Sequence, residues 1–255
     1  MCFFIFAAVL TNFVVSVAIF YKLRKLHVKS FRIEENSFDS LATYSQIQAY
    51  LDLVSLIQPR RPLPQLRGWA ASPDFLKILA TLTLEQKPKV VLECSSGAST
   101  IVLARCCELS KSGHVFSLEH DPIYAEKTRA LLRAHSLDSW ATVIDAPLVP
   151  YEELDGQPWY SIEALDLANN SVDLLVVDGP PLPTAPLARY PAIPLLIQKL
   201  ANRCVVMLDD ADRAPESAAV EKWLTDFPDF QLTRLPAEKG CARLDLLAQK
   251  HGRQY

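Results

Sequence analysis

Carboxylates recur at one kind of place in this chain, the end of an apolar run. Glu93 lies in KVVLEC (89–94), Glu119 closes HVFSLE (114–119) and Asp145 closes WATVID (140–145). Asp178 closes VDLLVVD (172–178), and Asp209 closes RCVVMLD (203–209), with Asp210 and Asp212 just beyond. Acids gathered at strand ends are costly unless they hold a cation, move a proton or bind a polar ligand. After Glu93 come Cys94-Ser95-Ser96-Gly97-Ala98-Ser99, small residues that let a ligand approach the backbone ahead of a helix with free amides. An ordinary serine-capped turn fits the same letters. Glu119 follows that turn by roughly 20 residues, the usual place for a carboxylate that holds a ribose diol. Asp121 before Pro122 reads as the cap of the next helix, and His120 as exposed. Asp145 could accept from an adenine amino group or be a solvated loop acid. Asp178, Asp209 and Asp210 offer the oxygen ligands of a hard cation such as Mg²⁺. The alternative is a helix cap before Pro215, with Arg213 neutralising the rest.

These residues need a scaffold, and the intervening pattern supplies one. Near-continuous apolar runs alternate with amphipathic stretches at about 72–84, 99–110, 122–135, 185–201 and 215–226. That alternation predicts an α/β fold, a doubly wound, Rossmann-like, mostly parallel sheet covered on both faces. FQLTRLP (230–236) and CARLDLLAQ (241–249) are joined by too short a link to be parallel, so a C-terminal antiparallel hairpin closes the sheet. In such a sheet ligands bind beyond the carboxyl ends of the strands, where the acids fall. Upstream, Leu41, Tyr44, Ile47, Leu51, Val54 and Ile57 follow helical spacing and predict a helix packing its stripe on the domain, until Pro59, Pro62 and Pro64 stop it.

Half of the 255 residues are hydrophobic and the net charge is −3. A sizeable core is therefore available, and a concentrated basic face for nucleic acid is not. Cys2, Cys94, Cys106, Cys107, Cys204 and Cys241 form no C-x-x-C pair and read as buried free thiols. Residues 1–21 carry no charged side chain and are followed by Lys22, Arg24, Lys25 and Lys29. At ~1.5 Å per residue they reach a bilayer's hydrocarbon thickness, so the reading is an N-terminal transmembrane helix. The flanking cations predict a single-pass protein whose domain faces the cytoplasm. The expected organisation is an anchor over 1–21, a basic flank and helical connector over 22–65, and the catalytic domain over 66–255.

Taken together, the turn and the strand-end acids resemble the class I S-adenosylmethionine-dependent methyltransferases, in particular the small-molecule O-methyltransferases of the catechol type. The resemblance covers roughly residues 65–249, including LRGWAASPDFL with Trp69, Ser72 and Asp74. That family cradles its cofactor in an acid-x-Gly-x-Gly loop. Glu93 matches the acid and Gly97 the second glycine, with Ser99 following, while Ser95 stands where the first glycine is expected. The resemblance implies Glu119 as the ribose ligand, Asp145 and Ala146 beside the adenine, and Asp178, Asp209 and Asp210 at a magnesium site. The lysine that such metal-dependent enzymes carry after the strand-four acid is absent, since Pro181 is the third residue beyond Asp178. The function expected is O-methylation of a small or lipid-linked acceptor with S-adenosyl-L-methionine, Asp178 serving as base or metal ligand. The proline-rich run 180–194 would shape the acceptor pocket. An NAD(P)-dependent oxidoreductase and a degenerate, membrane-tethered interaction module are the alternatives.

Overall fold

The computed structural model describes residues 20–25, 27 and 40–247, and the chain divides between Ile47 and Gln48 into two compact units. In the first unit residues 20–25 and 40–47 are helical. The expectation of a membrane anchor over 1–21 is corrected here. No helix among the described residues is long and apolar enough to cross a membrane. Of the proposed span only Phe20 and Tyr21 are described, residues 1–19 lying outside, and the described helical residues that follow them include Lys22, Arg24 and Lys25. A span needs about 20 consecutive apolar residues. The membrane partnership and the cytoplasm-facing, single-pass placement were built on that helix and are withdrawn with it.

The second unit begins with α1 (residues 48–57), in which Leu53 and Ile57 are fully buried while Leu51 is exposed. The expected apolar stripe is therefore covered only at its end, by the half-buried Val54 and the buried Ile57; Leu41, Tyr44 and Ile47 in the first unit are exposed too. There follow α2 (Pro73–Gln86), β1 (Val90–Cys94), α3 (Ala98–Ser110), β2 (His114–Glu119), α4 (Pro122–His135) and β3 (Ala141–Asp145). A small hairpin of β4 (Leu148–Tyr151) and β5 (Gln157–Tyr160) comes next. The chain then continues with β6 (Val172–Val177), α5 (Ala192–Leu196), β7 (Leu200–Leu208), α6 (Ala214–Asp226), β8 (Phe230–Leu235) and β9 (Cys241–Leu246).

Seven strands form one sheet in the order β3-β2-β1-β6-β7-β9-β8. The first five are parallel, and β9 pairs antiparallel with both β7 and β8, as the short link required. The central strands are apolar on both faces because both are covered. Val91, Leu174, Val176, Val205 and Met207 enter one core with α2 and α3. Their neighbours Leu92, Leu175, Val177, Val206 and Leu208 enter the other with α5 and α6. Alternation along each strand thus feeds two cores, and each such fully buried side chain contributes about 1.5–3 kcal/mol. Cys94, Cys106, Cys107, Cys204 and Cys241 are buried and unbridged.

Two elements differ from the sequence expectation. The helix expected over 185–201 shrinks to the five residues of α5, preceded by a 3₁₀ turn at Leu182–Thr184. Pro186 and Pro191 each lack an amide hydrogen and interrupt the expected helix, while Pro194 sits in the first turn of α5, where its missing amide costs no bond within the helix. The β4–β5 hairpin lies in a stretch whose prolines and short runs gave no clear period.

Candidate functional site

At the end of β1 the chain makes an open turn that Glu93 fixes from below. Glu93 is fully buried, and its Oε2 accepts hydrogen bonds from Thr100 Oγ1 and Ser117 Oγ, each at 2.6 Å. Thr100 Oγ1 in turn accepts from the Gly97 amide at 3.0 Å, which ties the start of α3 to the buried acid. Burial raises the Glu93 pKa, opposed by the surrounding hydroxyls, and Oε1 is buried with no hydrogen-bond partner. Above it Ser95 has φ +145° and Gly97 φ +149°. A Cβ on Gly97 would meet nothing within 4 Å, so the turn faces open space. Ser95 adopts a backbone conformation that glycine reaches freely and other residues reach only with strain.

Glu119 ends β2 one strand away. Its Oε2 accepts from Ser96 Oγ at 2.8 Å and its Oε1 from the Asp121 amide at 3.0 Å. The first turn and the second acid are therefore in direct contact. Asp121 caps α4 as expected, accepting from the Ile123 and Tyr124 amides. His120, expected to be exposed, is half-buried, with Nδ1 3.1 Å from Glu119 Oε1 and its ring edge-on to Tyr160 at 5.9 Å. Asp145 sits opposite Glu119 in the β2–β3 register, yet its exposed carboxylate pairs with Arg129 at 2.8 Å. Ala146 beside it is buried, and its amide donates to the Glu119 carbonyl at 2.7 Å.

Across the sheet Asp178 follows β6. Its amide donates to the Cys94 carbonyl at 3.2 Å, so the acid after β6 is bonded to the last residue of β1. Gly179 must be glycine there, because a Cβ would lie 2.3 Å from Tyr160 Oη and 3.1 Å from the Cys94 carbonyl oxygen. Asp209 and Asp210 follow β7, and the Asp178, Asp209 and Asp210 carboxylates bring one oxygen each within 4.8 Å of one another. This convergence is the one the sequence suggested. Burial, then mutual repulsion, holds the Asp209 carboxyl well above the ordinary range, and burial raises Asp178 despite the Arg189 charge.

Arg189 was not foreseen. It comes from the proline-rich segment before α5, is almost fully buried, and threads its guanidinium between the acids. Nη2 donates to Asp210 Oδ2 at 2.7 Å and Asp178 Oδ1 at 3.1 Å, and Nη1 donates to the Asp209 carbonyl at 2.8 Å. Nε lies 3.7 Å from Glu216 Oε1 in the first turn of α6. Arg213 reaches Asp210 at 2.8 Å, and Lys239, from the β8–β9 link, lies 3.6 Å from its other oxygen. The link is held in place by Ala211 and Asp212 amides donating to the Gly240 and Lys239 carbonyls. By donor type the carboxylates suit a hard cation. As the side chains stand, two of the three are already bonded to a guanidinium, which a metal ion would have to displace.

Residues 92–211 match the family model described as a methyltransferase domain, a stretch that runs from β1 through the Asp209–Asp210 pair. That stretch, a little under half of the chain, is what resembles the family. No curated protein matches the chain. Among solved structures it is similar to the SAH-bound methyltransferase PaMTH1 of Podospora anserina, with a TM-score of 0.59 and 15% identity over 85% of this chain and 97% of that one. An O-methyltransferase of Bacillus cereus in complex with SAH gives 0.56 at 16% identity, over 81% and 97%. The O-methyltransferase TomG of Streptomyces achromogenes, in complex with SAM, gives 0.54 at 18% identity, over 82% and 96%. At such identities the likeness is one of fold. In this domain the β1 turn, Glu119 and Asp178 lie where the carboxyl ends of β1, β2 and β6 meet, the position such a sheet offers a ligand.

Proposed function

We propose that the domain transfers the methyl group of S-adenosylmethionine to a hydroxyl of a small-molecule acceptor, with Asp178 receiving the proton. The cofactor, when bound, supplies an electrophilic methyl on a sulfonium. The chain's own work is to orient the two partners and remove a proton. The turn Ser95–Ser99 offers backbone amides and, at Gly97, open approach. Glu119 is preset by Ser96 and the Asp121 amide, and it retains acceptor capacity for the two hydroxyls of a ribose. The half-buried His120 and the buried Tyr160 wall this corner. Asp145 is engaged by Arg129, so reaching an adenine amino group means leaving that pair; Ala146 gives the adenine side an apolar contact.

The observation that carries the reading is the bond from the Asp178 amide to the Cys94 carbonyl. It fixes the proposed base to the strand end that opens the cofactor turn, so the acid cannot drift from the methyl donor. Burial favours the protonated form of Asp178, which suits a group that must accept a proton. A lipid-linked acceptor rested on the membrane anchor and is not retained.

Calorimetric titration with S-adenosylhomocysteine tests the binding half. The wild-type domain should bind it, and Glu119→Ala should lose roughly 10- to 100-fold in affinity, because hydrogen bonds to a charged group contribute about 1.5–3 kcal/mol. No heat and no thermal shift at millimolar ligand would sink the reading.

A further inference from the structure

Four acidic side chains, Asp178, Asp209, Asp210 and Glu216, converge from the ends of β6 and β7 and the first turn of α6, and all are buried or nearly so. Such a group needs positive charge at its centre, and its centre is filled by Arg189. The guanidinium spans the cluster with directional donors to Asp178, Asp210 and the Asp209 carbonyl. Of the acids in this cluster Arg213 and Lys239 reach only Asp210, and both are more exposed than Arg189. Asp210 Oδ1, Arg189 Nε and Glu216 Oε2 are buried without hydrogen-bond partners, so the cluster is packed around the cation rather than saturated by it.

We propose that Arg189 occupies the cation position of this carboxylate cluster, so that the chain's own guanidinium replaces a divalent ion and methyl transfer proceeds without one. This rests on the proposed function only for the claim that the cluster serves transfer. An arginine stays charged at any working pH and bonds a planar set of oxygens, which keeps Asp178 and the Asp209–Asp210 turn aligned. It offers no vacant coordination position. The acceptor hydroxyl therefore gains no Lewis-acid activation, and its proton goes to Asp178. Arg189 is on this view a positioning residue acting through Asp178. Its place in the sequence fits: the prolines that break the helix before β7 turn the segment back over the strand ends and deliver one long cationic side chain into the acids.

The test uses the full chain and Mn²⁺ as probe, followed by electron paramagnetic resonance, with S-adenosylhomocysteine binding measured in parallel. Failure to bind that ligand counts against the proposed function and leaves the metal titration readable. Wild type should take up no Mn²⁺ at millimolar concentration, and its melting should not respond to Mg²⁺ or EDTA. Arg189→Gln, which leaves the acids without their central charge, should bind a single Mn²⁺, and adding Asp209→Asn should abolish that binding. Arg189→Lys should stay free of metal. Stoichiometric Mn²⁺ uptake by wild type overturns the proposal, as does a folded Arg189→Gln that takes up none. If Arg189→Gln does not fold, the wild-type titration decides by the same criterion.

Discussion

Ser95→Gly is expected to stabilise the protein, which is unusual for a substitution in a turn proposed to bind a cofactor. Ser95 holds φ +145°, a region in which a non-glycine residue carries about 1–3 kcal/mol of strain. Glycine removes that strain but gains freedom in the unfolded chain, a cost of roughly 0.5–1 kcal/mol. The difference centres on about 1 kcal/mol in favour of the variant. For a chain of this size that is an increase in Tm of about 2–4 °C. Urea unfolding measures it directly, as a higher midpoint with an unchanged slope. Ser95→Ala separates backbone from hydroxyl: it keeps a Cβ at the strained φ and should match wild type. Affinity for S-adenosylhomocysteine should be retained in the glycine variant, because the turn keeps its path. A glycine variant less stable than wild type would refute the argument, and so would an alanine variant that gains as much as glycine.

Asp178→Asn should retain S-adenosylhomocysteine binding while losing turnover by about 10²–10⁴-fold, the usual contribution of a positioned base; comparable turnover would remove it from that role. Gly179→Ala should lose about 1–3 kcal/mol in urea unfolding, since its Cβ would meet the buried Tyr160 hydroxyl at 2.3 Å and Tyr160 has no room to swing away. Burial and the adjoining carboxylates raise Asp209 from 3.8 to about 8. The folded state then holds a proton that the unfolded state releases, so this group weakens the fold progressively as pH rises from 3.8 to about 8. Asp209→Asn should flatten that decline, and urea midpoints across the window with the same slope as wild type would contradict it.

What was legible in the sequence was what local rules decide. Strands showed in unbroken apolar runs, and the hairpin showed in a link too short for any other pairing. Asp121 before Pro122 announced the cap of α4. Because ligands meet a parallel sheet at its strand ends, the acids at 93, 119, 178 and 209 pointed to the candidate site without any knowledge of contacts. The sequence also showed an apolar stripe on α1, but which side would be covered depended on partners distant in the chain: Ile57 of that stripe is buried, Leu51 is exposed, and Leu53, outside the stripe, is buried. An apolar run at the N-terminus suggested a span that no described helix provides.

Only the tertiary structure decided how the acidic cluster is balanced. Arg189 stands among prolines with no periodicity to mark it, and nothing nearby in sequence pairs with it. Its partners lie at 178, 209, 210 and 216, brought together by the packing of β6 against β7 and by the start of α6. Tyr160 reaches the same corner from a hairpin outside the main sheet, and Lys239 from a link that closes the far edge. A charge buried at long range is a property of the assembled sheet. Strand ends tell where acids gather; folding alone tells which cation answers them.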